Sequence, residues 1–222
     1  MNFRQSLQYL EQIQSLGMKF GLENVQTILS SWQDPHRCYT SILVAGSNGK
    51  GSVSAMLTRV LTLHGYKVGL YTSPHLVSYQ ERIRIGEKVI SQADFSRGLT
   101  ELKNRVESLI QTGKLSHPPT HFETLTCLAL RYFQQKQVDM AILEVGMGGR
   151  FDATNVVTPC LSLITTISFE HQKSLGNTLS SIAFEKSGII KPGVPVICGV
   201  EAPSAIRTIR EQAQNKRAPF FQ

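Results

Sequence analysis

Apolar residues recur at Phe3, Leu7, Leu10 and Ile13, the spacing of one helical face, and predict a helix over 3–16. A short helix is predicted over 23–32. SILVAG at 41–46 is an unbroken apolar run of strand length, followed by a glycine-rich turn and a helix closed by Gly65. KVGLYTS at 67–73 is the next predicted strand, so the order strand, turn, helix, strand makes a βαβ unit and a parallel sheet. From Pro74 the pattern changes. RIRIGEKVI alternates with period two around Gly86 and predicts a hairpin, and Ser91 with Asp94 forms a capping signal for a helix to about Ile110.

Further along, HFETLTCLALRYFQQ (121–135) reads as an amphipathic helix and VDMAILEVG (138–146) as a buried strand ending in the glycine-rich loop GMGGRFDATN. CLSLITTIS (160–168) is another strand, 178–190 holds a helix, VPVICGV (194–200) is a strand, and 203–215 is a last helix. This alternation predicts an α/β fold: a doubly wound, mostly parallel sheet with helices on both faces. Ligands in such sheets sit beyond the carboxyl ends of the strands, where the glycine-rich loops fall. No internal repeat or low-complexity tract interrupts the pattern. The chain stops at APFFQ, an apolar run with no closing element of its own.

Composition narrows the classes. At 41 % apolar and 18 % charged residues, the 222-residue chain can build a sizeable core and is not disordered as a whole. Its formal net charge of +7 fits a small polyanionic ligand as well as nucleic acid, but the basic residues are scattered, with no basic run. No nucleic-acid partner is expected. Cys38, Cys127, Cys160 and Cys198 make no C-x-x-C pair, which argues against a zinc knuckle or dithiol site; Cys160 and Cys198 read as small core residues. No run approaches membrane-spanning length and the N-terminus has no signal-peptide pattern, so a soluble cytoplasmic protein without a membrane partner is expected.

The stretch VAGSNGKGS carries the first chemistry. It departs twice from G-x-x-x-x-G-K-[ST]: Val44 stands where the first glycine belongs, and Gly51 separates Lys50 from Ser52. Gly46, Gly49 and Gly51 still allow tight turns, and backbone N–H groups converge at the following helix's N-terminus, where the dipole favours an anion. Lys50 can reach terminal phosphates. The bland alternative is an ordinary glycine-rich βα turn, but the flanking strand and helix favour a phosphate loop.

VAGSNGKGS, YTSPHL with ERIRI, HFETLT, EVGMGGRFDATN, H-x-x-x-LG-x-T and IAFEKSGIIK follow one another in an order that resembles the folylpolyglutamate synthase/dihydrofolate synthase family. That family belongs to the Mur-ligase-like ATP-dependent amide ligases. Each motif alone is weak; six in order, spanning nearly the whole chain, are specific. The family's phosphate loop has the same short form with glycine after lysine. The resemblance implies ATP-dependent joining of L-glutamate to a dihydropteroate or folate carboxylate through an acyl phosphate.

Site residues follow from the resemblance. ATP would lie on Gly46, Ser47, Asn48, Gly49, Lys50, Gly51 and Ser52. Two Mg²⁺ ions are implied, the first on Ser73 and Glu144, the second on His171. Catalytic roles are implied for Lys50, His171 and Lys186, the last carbamylated by CO₂. The pterin or folate pocket would be lined by Lys19, Phe20, Gly21, Leu22, by Thr120, His121, Phe122, Glu123, and by Phe151, Asp152, Ala153. The segment 74–85 resembles the family's mobile loop. One departure stands out: Glu170 occupies a position where the family usually has Asp before the histidine. Read without the resemblance, Ser73 is a turn residue, Glu144 an ion-paired strand end, His171 a hydrogen-bonded loop residue and Lys186 a solvated helix lysine. Phe122 would then be helix core and Asp152 a cap of the DATN turn, while His75, His121 and Arg150 stay ambiguous.

The whole chain, 1–222, is expected to be one ATP-binding ligase domain and a monomer. The family's C-terminal domain, which helps bind ATP and glutamate, finds no room in 222 residues, so nucleotide binding with little turnover is expected of the chain alone. A phosphate-loop switch, a partition-type ATPase and a Mur-type ligase are the alternatives; THFE and GGRFDATN favour the folate branch.

Overall fold

A computed structural model describes residues 1–14 and 21–222. The N-terminal helices α1 (Phe3–Gln14) and α2 (Glu23–Ser30) precede β1 (Thr40–Ala45), α3 (Lys50–Leu63) and β2 (Val68–Tyr71). A hairpin of β3 (Ile83–Ile85) and β4 (Lys88–Val89) leads to α4 (Gln92–Gln111) and α5 (His121–Gln135). Then come β5 (Met140–Glu144), β6 (Leu161–Ile164), the short α6 (Gln172–Leu175), α7 (Leu179–Ser187), β7 (Val196–Cys198), α8 (Pro203–Asn215) and β8 (Phe220–Phe221).

The eight strands form one sheet in the order β4-β3-β2-β5-β1-β6-β7-β8. All pairings are parallel except β2 with β3 and β3 with β4, where Gly86 takes a positive φ of 56° at the tip. The period-two rule sorts β1 cleanly. Ile42 and Val44 face Val53, Leu57 and Leu61 of α3, while Leu43 and Ala45 join the larger core that includes α1, α2, α4 and α5. Helices therefore cover both faces. Local signals close the helices: Ser91 Oγ accepts from the Asp94 N–H, and Thr120 and Glu123 exchange bonds in a capping box.

Two expectations need correction. Phe220–Phe221 does form a closing element, a two-residue strand paired with β7; it is too short to show a period. Cys160 is exposed, because it stands just ahead of β6 rather than inside it; Cys198, within β7, is buried as expected. The segment 74–85 contains a 3₁₀ turn at Tyr79–Arg82 and the whole of β3. Its turn is tied together by Glu81, whose carboxylate accepts the N–H groups of Leu76, Val77 and Ser78 at 2.9, 2.9 and 2.6 Å. Lys19 and Phe20 lie outside the described residues.

Candidate active site

The carboxyl ends of β1, β2, β5 and β6 are neighbours in the sheet, and the predicted chemistry collects there. After β1 the chain turns through Gly46 and Gly49, at φ of 146° and 79°, and Gly49 is the N-cap of α3. A strap after β6 fixes this turn. Ser47 N donates to Thr166 O at 2.8 Å, Ser168 N to Ser47 Oγ at 3.0 Å, Asn48 N to Thr166 Oγ1 at 3.0 Å, and Thr165 Oγ1 to Asn48 O at 2.6 Å. Lys50 Nζ curls over the loop onto the carbonyls of Gly46 (2.9 Å) and Ser47 (3.3 Å). This is a phosphate-loop shape, with a lysine hovering over a helix N-terminus. Ser52 is exposed on the first turn of α3.

Gly46 O accepts a second lysine. Lys186, at the end of α7 and only 2 % exposed, donates to it at 2.9 Å and pairs with Glu170 Oε1 at 2.6 Å. Burial lowers the Lys186 pKa, and Glu170 opposes that shift. For Glu170, burial alone would raise the pKa, but Lys186, the Ser47 hydroxyl and Lys50 outweigh it and hold it below the usual carboxylate range. The solvated-lysine alternative is thereby excluded.

Glu144, the last residue of β5, is buried with its carboxylate against the first turn of α3; a Cβ on Gly51 would stand 3.5 Å from Oε2. Ser73 N donates to the same oxygen at 3.0 Å. Burial raises the Glu144 pKa, while the Ser73 N–H and Lys50 act in the opposite sense. No arginine pairs with Glu144 among the described residues. A desolvated carboxylate bonded by the backbone N–H of a serine fits a hard cation that takes one or two protein oxygens and completes its shell with water and phosphate. The second metal position fits less well. His171 is exposed at a φ of 43°, and no group of three or more His, Cys, Asp or Glu side chains among the described residues is placed to hold a metal.

Next to Ser73 opens a cavity of about 520 Å³. Of the predicted pocket residues, Gly21, Thr120, Phe122, Glu123, Phe151, Asp152 and Ala153 line it, as do Ser73 and His171; Leu22 and His121 do not. Phe122 offers a ring that also packs against Tyr71, with centroids 6.0 Å apart. Several polar atoms are already committed. Asp152 accepts the N–H groups of Gly146, Met147 and Thr154 at 2.9, 3.0 and 3.0 Å, and the Thr154 hydroxyl as well, so its carboxylate shapes the GMGG loop. Glu123 Oε2 holds Thr120 N at 2.6 Å. His121 is packed against Tyr79, and burial, then Arg82 and His75, lower its pKa to about 4, so it is neutral at pH 7.

Sequence reasoning missed Arg82 and Glu185 in the cavity wall, and the 165–168 strap. Arg82 was visible only as part of an alternating strand pattern. The strap had a signal, the hydroxyl-rich TTIS at the carboxyl end of a strand. Arg150 is held by Glu185 at 2.7 Å and lies between the rings of Phe151 and Phe184, 4.5 and 5.2 Å from their centroids.

No family model matches the chain. It is 41 % identical over 205 residues to the dihydrofolate synthase/folylpolyglutamate synthase of Bacillus subtilis, an alignment covering 92 % of this chain and 47 % of the relative. Among solved structures, the folylpolyglutamate synthase of Thermotoga maritima is 38 % identical with a TM-score of 0.89, covering 99 % of this chain and 49 % of that one. Escherichia coli FolC in complex with DHPP and ADP is 35 % identical with a TM-score of 0.87, covering 99 % and 51 %. The chain thus spans about half the length of the relatives it matches.

Proposed function

The chain belongs, over the half of their length that it spans, to the folylpolyglutamate synthase/dihydrofolate synthase family, and on that premise we propose that it is the ATP-binding domain, residues 1–222, of a ligase joining L-glutamate to a dihydropteroate or folate carboxylate. The observation that carries this reading is the position of Ser73. Its N–H binds the Glu144 carboxylate beside the phosphate loop, and the same residue lines the cavity that Phe122 walls. A γ-phosphate on the loop and an acceptor carboxylate in the cavity would meet there. The E. coli relative's bound DHPP and ADP are the same pairing of ligand classes.

In this reading the N–H groups of Gly46 to Ser52 and the Lys50 ammonium hold the ATP phosphates. Glu144 and Ser73 would hold Mg²⁺, and His171 would be the side chain to take a second ion. Bound there, Mg²⁺ would offset the charge that keeps a carboxylate from approaching a polyanion. The acceptor carboxylate attacks the γ-phosphorus, the P–O bond to ADP breaks, and an acyl phosphate results. Glutamate's amine then displaces phosphate and loses a proton as the amide forms. Phe122 packs the aromatic part of the acceptor, with Gly21, Thr120, Phe151 and Ala153 around it. Lys186 supports the loop through Gly46 O and is the proposed site of carbamylation. Localisation in the cytoplasm is part of this proposal, supported by four free cysteines; no helix among the described residues is long and apolar enough to cross a membrane.

The test is co-binding. With Mg²⁺ and a non-hydrolysable ATP analogue present, calorimetry should show dihydropteroate or folate binding to the same chain. A chain that binds the nucleotide but neither pteridine would be a phosphate-loop ATPase of another kind.

A further inference from the structure

Arg82 is a buried cation without a counter-ion. Its residue is 9 % exposed, it lines the cavity, and none of the ion pairs among the described residues includes it. A guanidinium carries five donors, and among the described residues the one hydrogen bond from this side chain is from Nε to His75 Nδ1 at 2.9 Å. That bond fixes the plane of the fork. His75 in turn stacks on Tyr79 with centroids 4.4 Å apart, and the Arg82 Cζ lies 5.7 Å from the same ring. The backbone is anchored too, since Thr72 N donates to Arg82 O at 3.0 Å, one residue before Ser73.

The acidic side chains that line the cavity with it, and its chain neighbour Glu81, have partners of their own. Glu81 caps the 76–78 turn, Glu123 caps α5, Asp152 holds its own loop, and Glu185 holds Arg150. Leaving a buried charge unpaired is costly unless an anion from outside completes it. A carboxylate and a phosphate both fit a planar, bidentate donor. Arg82 lines a cavity that none of residues 46–52 lines, so the carboxylate is the assigned group, and a loss of nucleotide affinity on removing Arg82 would point to phosphate instead.

We infer that Arg82, oriented by His75 and Tyr79, is the recognition residue for the acceptor's carboxylate in this cavity, holding it beside Ser73 for phosphorylation. The inference rests on the cavity being the acceptor site. Glutamate also carries carboxylates, but Arg82 shares its cavity with Phe122, whose ring suits an aromatic acceptor, so the acceptor is the assigned source.

The experiment compares pteroate, its uncharged amide and L-glutamate as ligands of the 222-residue chain, with Mg²⁺ and a non-hydrolysable ATP analogue present. Wild type should prefer pteroate to the amide. Arg82→Gln should weaken pteroate by about 10- to 100-fold, the range of a charge-assisted pair, while leaving the amide and the nucleotide unchanged. Should Arg82→Gln fail to fold, Arg82→Lys is read in the same way, because it keeps the charge but loses the fork. Equal loss for pteroate and amide would mean a structural role and overturn the inference, as would a loss confined to glutamate. A wild-type chain that binds pteroate and amide equally also overturns it while leaving the proposed function standing. A wild-type chain that binds nucleotide but neither pteridine would remove the proposed function, and the inference with it.

Discussion

Ser73 N lies 3.0 Å from Glu144 Oε2, a bond between residues 71 positions apart that joins the ends of two strands adjacent in the sheet, β2 and β5. It holds a buried carboxylate against the first turn of α3, and Ser73 itself lines the cavity. Two sites that could have been independent therefore share a wall.

Glu144→Gln keeps an oxygen for the Ser73 N–H but removes the negative charge. Mg²⁺-dependent nucleotide affinity should fall by about tenfold or more, with metal-free nucleotide affinity unchanged. Stability should move the other way. Burial raises the Glu144 pKa, so between its unfolded and folded values the native state binds more protons, and stability falls as pH rises through that window. The Gln variant escapes that loss. Its Tm should match or exceed wild type at neutral pH without metal, and the difference should vanish in acid. Metal affinity of the wild type should start to fall, as pH is lowered, above the ordinary carboxylate range. Melting curves and Mg²⁺ titrations across pH check both directions.

Gly46 and Gly49 separate space from backbone strain. Around Gly49, at φ 79°, nothing stands within 4 Å of the place a methyl group would take, so Gly49→Ala should cost only the left-handed penalty, about 1–2 kcal/mol. At Gly46 the methyl would run into the Thr165 hydroxyl and stand 3.1 Å from Thr165 N, at a φ of 146°. Gly46→Ala should cost about 3 kcal/mol or more and detach the strap. Adding Thr165→Ala should recover part of that. Denaturant melts of the three variants give the order; equal costs at Gly46 and Gly49 would contradict the strap.

How much of this was legible in the sequence depended on whether the signal was local. Helix α5 was read at both ends because its apolar residues repeat over four turns; the Thr120–Glu123 capping box that closes its start is equally local but went unread. The tight glycine turn after β1 was read because its glycines and its lysine are adjacent in the chain. Arg82 and the Thr165–Ser168 strap were not, since alternation assigns a side chain to a face but not to a partner across the sheet. Glu170 was noticed as a departure, yet its pairing with Lys186 joins a loop to a helix and had no local trace. Asp152 shows a third case: the resemblance put it in the pterin pocket and the residues alone read it as a cap of the DATN turn, and the fold has it lining the cavity with its oxygens filled by donors of its own loop.

Carbamylation of Lys186 requires the neutral amine, and Glu170 works against it. The ion pair at 2.6 Å favours the ammonium, and a carbamate would set a second anion beside the Glu170 carboxylate. Glu170→Gln removes both obstacles while burial continues to lower the lysine pKa. Under bicarbonate, the Gln variant should carry the added mass of one CO₂ at higher occupancy than wild type, and Lys186→Ala at none. Intact-mass measurement under non-acidic conditions reads this directly. Equal occupancy in wild type and variant would show that Glu170 moves aside without cost.

Lys50→Ala tests whether the shortened loop is the phosphate site at all. The Lys50 ammonium has two acceptors in the structure, Gly46 O and Ser47 O. Gly46 O keeps its bond from Lys186 when Lys50 is gone, and the Ser47 backbone keeps its N–H bond to Thr166 O. The loop should therefore hold its shape, with a stability change within about 1 kcal/mol, the worth of one hydrogen bond. The phosphates, by contrast, lose the nearest mobile positive charge. ATP-analogue affinity should drop by about tenfold or more, and ADP release by any ligase containing this domain should be abolished. Calorimetry on the variant, paired with its melting curve, separates the two effects. A variant that melts like wild type and still binds the analogue as tightly would place the phosphates somewhere other than VAGSNGKGS.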